Sequence, residues 1–296
     1  MELRRHPANP ILQANPENEW ESGAVFNCAV VAQNGTIHML YRAIGEYEVY
    51  RSRLGYAWST DGIHFRRRGT PAFEPEEEYE VFGCEDPRIT RLGDTFYITY
   101  TALFNRAWSP TGNRVALAAT RDFQTFKRYG VILPDMENKD AVLFPEKING
   151  KYVMLHRIVP DIWIAYSDNL VDWYGHKIIM RPRPGCWDCV KIGAGAPPIK
   201  TDAGWLEFYH GVDENRVYRL GAVLFDLHQP EKIIARQNDP ILEPVEDCEV
   251  RGDVPNVVFT CGAIEKDDQY YVYYGGADTV ICLATVGKQE ALDFVR

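Results

Sequence analysis

Five times along the chain the same order recurs: an apolar strand, a polar turn, a strand rich in Tyr and β-branched residues, a loop, and a further strand. The first copy runs through Ala29-Val30-Val31, the turn Gln33-Asn34-Gly35, Thr36 to Arg42, then Leu54 to Gly62 and Phe65. The second has Arg88-Ile89-Thr90, Leu92-Gly93-Asp94, Phe96 to Tyr100 and Val115 to Asp122. The third has Leu143-Phe144-Pro145, Ile148-Asn149-Gly150, Tyr152 to Arg157 and Ile162 to Asp168. A looser fourth copy uses Pro198-Ile199-Lys200, Trp205 to His210 and Leu220 to Asp226, and the fifth Val257-Val258-Phe259, Tyr270 to Tyr274 and Val280 to Thr285. Short polar turns between such runs read as hairpins. A repeat at roughly fifty to sixty residues cannot bury its apolar face alone and has to stack on its neighbours. The pattern predicts an all-β, five-bladed β-propeller occupying residues 1–296 as one domain. A β-sandwich is the alternative, but it gives no reason for a five-fold unit.

In such a propeller the innermost strands line a central channel. The residues just before them then converge at one mouth: Asn27, Glu85 with Asp86, Asp140, Gly193 to Gly195, and Asp253 with Asn256. The Pro10-to-Pro16 and Gln237-to-Leu242 segments look alike and read as extended edges leading into a blade. The acidic Glu74-to-Tyr79 stretch reads as a solvated loop or short turn.

Composition narrows the class of partner. With 46% hydrophobic residues the chain can bury a sizeable core, and its 17 Tyr, 13 Phe and 7 Trp suit strands. A net charge of -10 argues against nucleic acid, which wants a basic face. No apolar run is long enough for a transmembrane helix, and the first residues lack an apolar signal core. The 7 scattered cysteines are expected to be reduced thiols of a cytoplasmic protein. Cys186 and Cys189 have metal or redox spacing, but no second pair supports zinc and no βαβ pattern supports a thioredoxin-like site, so they are read as structural or incidental.

One stretch breaks the local rules. Gly83-Cys84-Glu85-Asp86-Pro87-Arg88 puts two carboxylates and a proline at a strand entrance, where both residue types are disfavoured. Such inconsistencies cluster at functional sites. At the expected mouth lie the carboxylates Glu85, Asp86, Asp140, Asp253 and Asp278. Near blade edges lie Arg42, Arg88, Arg114, Lys147, His156, Arg157 and His210. Both signs beside many aromatic faces suit a sugar site with an anionic co-substrate, since Arg, Lys and His bind phosphate. Inverting hydrolysis of a glycoside needs an acid and a base carboxylate. Phosphorolysis needs only the acid, because phosphate is already an anionic nucleophile. The same residues also admit plainer roles. Arg42 and Arg157 end strands and could form surface ion pairs, and His210 could be a buried structural histidine. His156 alternates with Tyr152 and Met154 and could be packed beside them, so it is left outside the catalytic set.

The Gly-x-Glu-Asp-Pro-Arg motif stands in an ordered set that covers almost the whole chain. Its other members are Phe26-Asn27, Tyr41-Arg42, Phe144-Pro145-Glu146-Lys147, Leu155-His156-Arg157, Gly193-Ala194-Gly195-Ala196-Pro197-Pro198 and Tyr209-His210-Gly211. The set resembles glycoside hydrolase family 130. The resemblance implies a five-bladed propeller and an inverting phosphorylase that splits β-mannosides with phosphate, releasing α-mannose 1-phosphate, with no metal or other cofactor. It implies that Asp86 is the general acid, acting through a sugar hydroxyl. Asn27, Arg42 and Asp278 match positions that hold the sugar whose bond is cut, and Glu85 and Asp140 join them as substrate-binding candidates. Arg114, Lys147, Arg157 and His210 match the phosphate-binding set. The expected partners are thus a β-mannoside oligosaccharide and inorganic phosphate, and a homo-oligomer is compatible with the sequence. The compact chain favours β-1,2-linked mannobiose or oligomannan over β-1,4 substrates, with acceptor choice set by the loops Gly45 to Ser52 and Arg106 to Asn113. An inverting hydrolase with Asp140 or Glu85 as base, and a non-catalytic sugar-binding propeller, stay open as alternatives.

Overall fold

The computed structural model describes residues 1–107, 109 and 111–295. Strand β1 (Arg4–Arg5) precedes a first blade of β2 (Ala24–Gln33), β3 (Thr36–Ile44), β4 (Arg53–Ser59) and β5 (Arg66–Arg67). The second blade is β6 (Cys84–Leu92), β7 (Thr95–Leu103), β8 (Asn113–Thr120) and β9 (Lys127–Val131). The third is β10 (Lys139–Leu143), β11 (Tyr152–Ile158), β12 (Asp161–Ser167) and β13 (Trp173–Met180). In the fourth, β14 (Lys191–Ala194) and β15 (Ile199–Thr201) both pair with β16 (Gly204–Val212), followed by β17 (Tyr218–Phe225) and β18 (Ile233–Arg236). The fifth holds β19 (Val258–Lys266), β20 (Gln269–Gly276) and β21 (Val280–Gly287). β1 supplies its outer strand, with Arg4 opposite Thr285, so the N-terminal segment closes the ring.

The five blades match the repeat read from the sequence, with one adjustment. The fourth inner strand begins at Lys191, not at Pro198, and is broken at Gly195 to Pro198, where the proline pair has no N–H to give to a ladder. Glu207 fills part of the break by accepting the Gly195 N–H at 2.9 Å. Apolar side chains from facing blades make a separate core between each adjacent pair. Val25, Met39, Tyr273 and Leu283 join the first and fifth blades, and Leu40, Ile89, Ile98 and Ala116 join the first and second. The two look-alike segments are extended edges: Leu12 bridges Ile281 and Leu242 bridges Leu220, each on the third strand of the preceding blade.

A polar device repeats beneath these linkers. Tyr41, Tyr100 and Tyr274 donate to the buried carboxylates of Glu21, Glu80 and Glu249, which also meet Arg67, Arg128 and Arg5. The fourth blade does the same with Tyr209, Asp188 and Arg236. In the third blade His156 stands where the others have Tyr, bonded to Asn138 at 2.8 Å and to His176 at 3.1 Å. Alternate residues of a strand face opposite sides. The tyrosine of each second strand, or His156 in the third blade, therefore turns to one neighbouring blade, and the residue after it turns to the other. That is how Arg42 and Arg157 are aimed. No helix among the described residues is long and apolar enough to cross a membrane.

Candidate active site

Three inner strands carry their polar residues inside the strand rather than before it. Pairing slips between Phe26 and Ala29, between Glu85 and Arg88, and between Lys139 and Val142. Within each slip sits a left-handed residue: Asn27 (φ 46), Asp86 (φ 48) and Asp140 (φ 53). Asn and Asp tolerate that conformation better than other side chains, and a bulge re-aims the residue it displaces. The bulges turn all three side chains into one cavity of about 380 Å³, a size that suits a small-molecule site. Arg42, Glu85, Lys139, Arg157, Lys191 and Asp278 share its wall, with Tyr218 and Phe259 as aromatic faces.

Buried Asp86 accepts from Asn27 Nδ2 at 2.9 Å and Arg42 Nη1 at 3.1 Å, both through Oδ1. Burial would raise its carboxyl, but Arg42, Lys139, Arg88 and the Asn27 bond outweigh that and hold it below the ordinary value. Glu85 takes Arg42 Nη2 at 2.6 Å and Lys139 Nζ at 3.1 Å. Asp140 meets Arg157 Nη1 at 2.7 Å, Arg88 Nη2 at 3.1 Å and His210 Nε2 at 3.3 Å. Against burial, Arg157, His210 and Arg88 hold Asp140 well below the ordinary carboxylate value. Gly193 permits this packing, because a Cβ there would overlap both the Asp140 carboxylate and the His210 ring. Arg88, 1% exposed, also binds the carbonyls of Asp86, Ala194 and Gly195 and so ties the second, third and fourth blades together at the axis.

The sequence expectations for cations divide here. Arg157 lines the cavity, and its Nε is buried without a hydrogen-bond partner. His210 lies behind it, fully buried against Phe259 at 4.3 Å between ring centroids. Burial pushes its imidazole down to about 4, despite Asp140, so it is neutral at pH 7 and does not supply a positive charge. Arg114 does not join the cavity: it is tied to Glu137 at 2.5 Å and to the Pro134 carbonyl at 2.9 Å. Lys147 does not either. It is exposed on the turn from β10 to β11, beside the Tyr152 ring, at the opposite end of the blade from the bulges. Residues after a first strand lie at the far face, so topology alone removes it. The cations that take its place open first strands: Lys139 at the start of β10, just before Asp140, and Lys191 at the start of β14. Lys191 pairs with no carboxylate among the described residues. Burial and the neighbouring Arg157 push it down to about 8.

The expected acceptor loops stand at the mouth. Ala107, Ser109 and Asn113 line the cavity, while Trp108 and Pro110 of that loop lie outside the described residues. Tyr50 of the Gly45-to-Ser52 loop hydrogen-bonds Asp253 across the opening, and Ser52 accepts from Arg42 Nε at 2.9 Å.

A family model described as beta-1,4-mannooligosaccharide phosphorylase, Glyco_hydro_130, matches residues 2–296. A 1,2-beta-oligomannan phosphorylase of Thermoanaerobacter sp. (strain X514) is 53% identical over 98% of this chain and 99% of its own length. A beta-1,2-mannobiose phosphorylase of the same strain is 49% identical over 97% and 98%. Among solved structures, the beta-1,2-mannobiose phosphorylase from Listeria innocua in complex with beta-1,2-mannobiose superposes with a TM-score of 0.89 at 34% identity, covering 100% of this chain and 99% of that one.

Proposed function

This chain belongs to glycoside hydrolase family 130, and from that premise we propose that it is an inverting β-mannoside phosphorylase. Inorganic phosphate attacks the anomeric carbon from the face opposite the leaving sugar, and the products are α-D-mannose 1-phosphate and a shortened sugar. β-1,2-linked mannobiose or oligomannan is the favoured substrate, in keeping with the names of the two Thermoanaerobacter relatives. β-1,4-Mannooligosaccharides are the alternative. The single observation that carries the reading is the cationic wall of Lys139, Arg157 and Lys191 in the cavity that also holds Asp86. Lys191 forms no ion pair with a carboxylate among the described residues, and burial beside Arg157 depresses its amine. An anion supplies what that wall lacks, and charge-assisted bonds to a phosphate are among the strong ones.

Asp86 delivers the proton to the leaving oxygen. It starts as a carboxylate, yet a bound sugar strips water from it and a bound phosphate adds negative charge, and both push a carboxyl toward its protonated form. Glu85 and Asp140, the two candidates for a hydrolytic base, are each paired with two cations, and pairing of that kind favours the ionised form and weakens a carboxylate as a base. Asn27 and Arg42 fix Asp86 and the sugar beside it. No metal or organic cofactor enters the scheme. The seven free thiols fit a reducing, cytoplasmic setting.

The test is to incubate the protein with phosphate and either β-1,2- or β-1,4-mannobiose and to identify the sugar phosphate by NMR. α-Mannose 1-phosphate from the β-1,2 substrate supports the reading. The β-anomer, or no sugar phosphate from either substrate, overturns it.

A further inference from the structure

Asp278 sits on a strained hairpin turn at the edge of the cavity. Thr279 N–H closes the turn onto the Gly276 carbonyl at 2.9 Å, and both central residues are left-handed: Ala277 (φ 45) and Asp278 (φ 51). Such a turn is normally built from Asn-Gly or Asp-Gly. An alanine there is strained, and strain of this kind is kept where it places something useful. What it places is a carboxyl that lines the cavity with Asp86 and forms no hydrogen bond or ion pair among the described residues. Asp86 differs: its Oδ1 is fixed by Asn27 and Arg42.

We propose that Asp278 stores the proton that Asp86 passes to the leaving sugar, so that the two carboxyls work as a pair holding one proton. The proposal rests on the reading of Asp86 as the acid. The charged and titratable groups that face Asp278 are Arg42 from β3, Tyr50 from the following loop, Glu85 and Asp86 from β6, Tyr218 from β17 and Asp253 from the segment before β19. Burial raises the Asp278 carboxyl to about 7; Arg42 opposes this, and Asp86, Asp253 and Glu85 add to it. At neutral pH it is therefore the member of the pair that keeps a proton while Asp86 is ionised. Like charges that share a site do not both ionise easily.

The step balances. As the sugar enters, the proton moves from Asp278 to Asp86, directly or along a sugar hydroxyl. A phosphate oxygen forms its bond to the anomeric carbon while the bond from that carbon to the leaving oxygen breaks. Asp86 gives its proton to the leaving oxygen. The hydrogen carried in by hydrogen phosphate then returns to the pair, and Asp278 is reset for the next turnover.

The test compares Asp278→Asn with Asp86→Asn on two donors at saturating phosphate: β-1,2-mannobiose, and a β-mannoside of 2,4-dinitrophenol, whose leaving group needs no protonation. Asn keeps the left-handed backbone, and circular dichroism checks the fold. Both variants are expected to lose about 100- to 10,000-fold on mannobiose, the usual scale of acid catalysis. On the activated donor both are expected to lose at least about tenfold less than they do on mannobiose, since the missing step is no longer used. The parent's kcat on mannobiose is expected to fall as pH rises through about 7, and this limb is absent on the activated donor. Equal losses on both donors in Asp278→Asn, with Asp86→Asn still rescued by the activated donor, overturn the storage role and leave Asp278 as a sugar-holding residue. Equal losses in Asp86→Asn instead overturn the acid role of Asp86 itself.

Discussion

Replacing Lys191 by methionine removes one charge from the cavity wall and keeps most of the side chain's length. Lys191 is the cavity cation with no carboxylate partner among the described residues, so the deletion strands no buried counter-charge. The expected loss is that of one hydrogen bond to a charged group, about 1.5–3 kcal/mol, or roughly 10- to 150-fold in the KM for phosphate. The KM for the mannoside should move little. Titration gives an independent handle. With its amine at about 8, Lys191 is about nine-tenths charged at pH 7 and about one-tenth charged at pH 9. The charged form holds phosphate, so affinity is present below about pH 8 and is lost as pH rises through that value. The assay is initial rate against phosphate concentration from pH 6.5 to 9.5, for the parent and for Lys191→Met. The parent's KM for phosphate should climb above pH 8, and the variant's should start high and stay flat. Lys147→Met, on the far face, should behave as the parent. A Lys191→Met protein whose KM for phosphate stays within twofold of the parent would refute the reasoning.

Two further predictions concern stability. Glu80→Ala leaves Arg128 without its buried carboxylate and Tyr100 without its acceptor. Breaking a buried pair typically costs about 3–5 kcal/mol, so thermal unfolding should drop by about 5–8 °C, and a drop under 2 °C would contradict the structural role of the repeated tyrosine–carboxylate–arginine device. Burial depresses His210 to about 4 and His156 to about 3, the latter helped by His176. The folded state thus binds fewer protons than the unfolded chain, and stability present above about pH 6.5 is lost as pH falls toward those values. Between pH 8 and pH 5 each histidine should cost about 2 kcal/mol, read by urea unfolding, and a flat profile over that range would show that neither ring is buried in its neutral form.

The fold was legible because each repeat announces itself twice, through a polar turn and through the Tyr-rich second strand. The inner strands were legible only in part. Asn27, Asp86 and Asp140 looked like residues before strands, because a left-handed bulge leaves no mark in the apolar pattern. The same blindness hid β14, where Lys191-Ile192-Gly193-Ala194 is too short and too glycine-rich to read as a strand. Arg114 was misplaced because the residue that claims it, Glu137, comes from the loop beyond the next strand. Lys147 is placed by topology alone. Once the mouth is assigned to the starts of first strands and the ends of second strands, a residue between the two belongs to the other face, and Lys139 and Lys191 become the cations to name. The pairing of Tyr209 with His210 and of His156 with Arg157 carried the opposite lesson. Two-residue periodicity alone says which member of each pair joins the Tyr-carboxylate layer and which turns away from it.

The most direct measurement of the central claim is the initial rate of β-1,2-mannobiose cleavage as phosphate is lowered toward zero in a phosphate-free buffer. An attacking anion held by Lys139, Arg157 and Lys191 predicts a rate that extrapolates to zero, with one mannose 1-phosphate formed for each mannose released. Free mannose released at an undiminished rate without phosphate would mean that water is the nucleophile and would contradict the account.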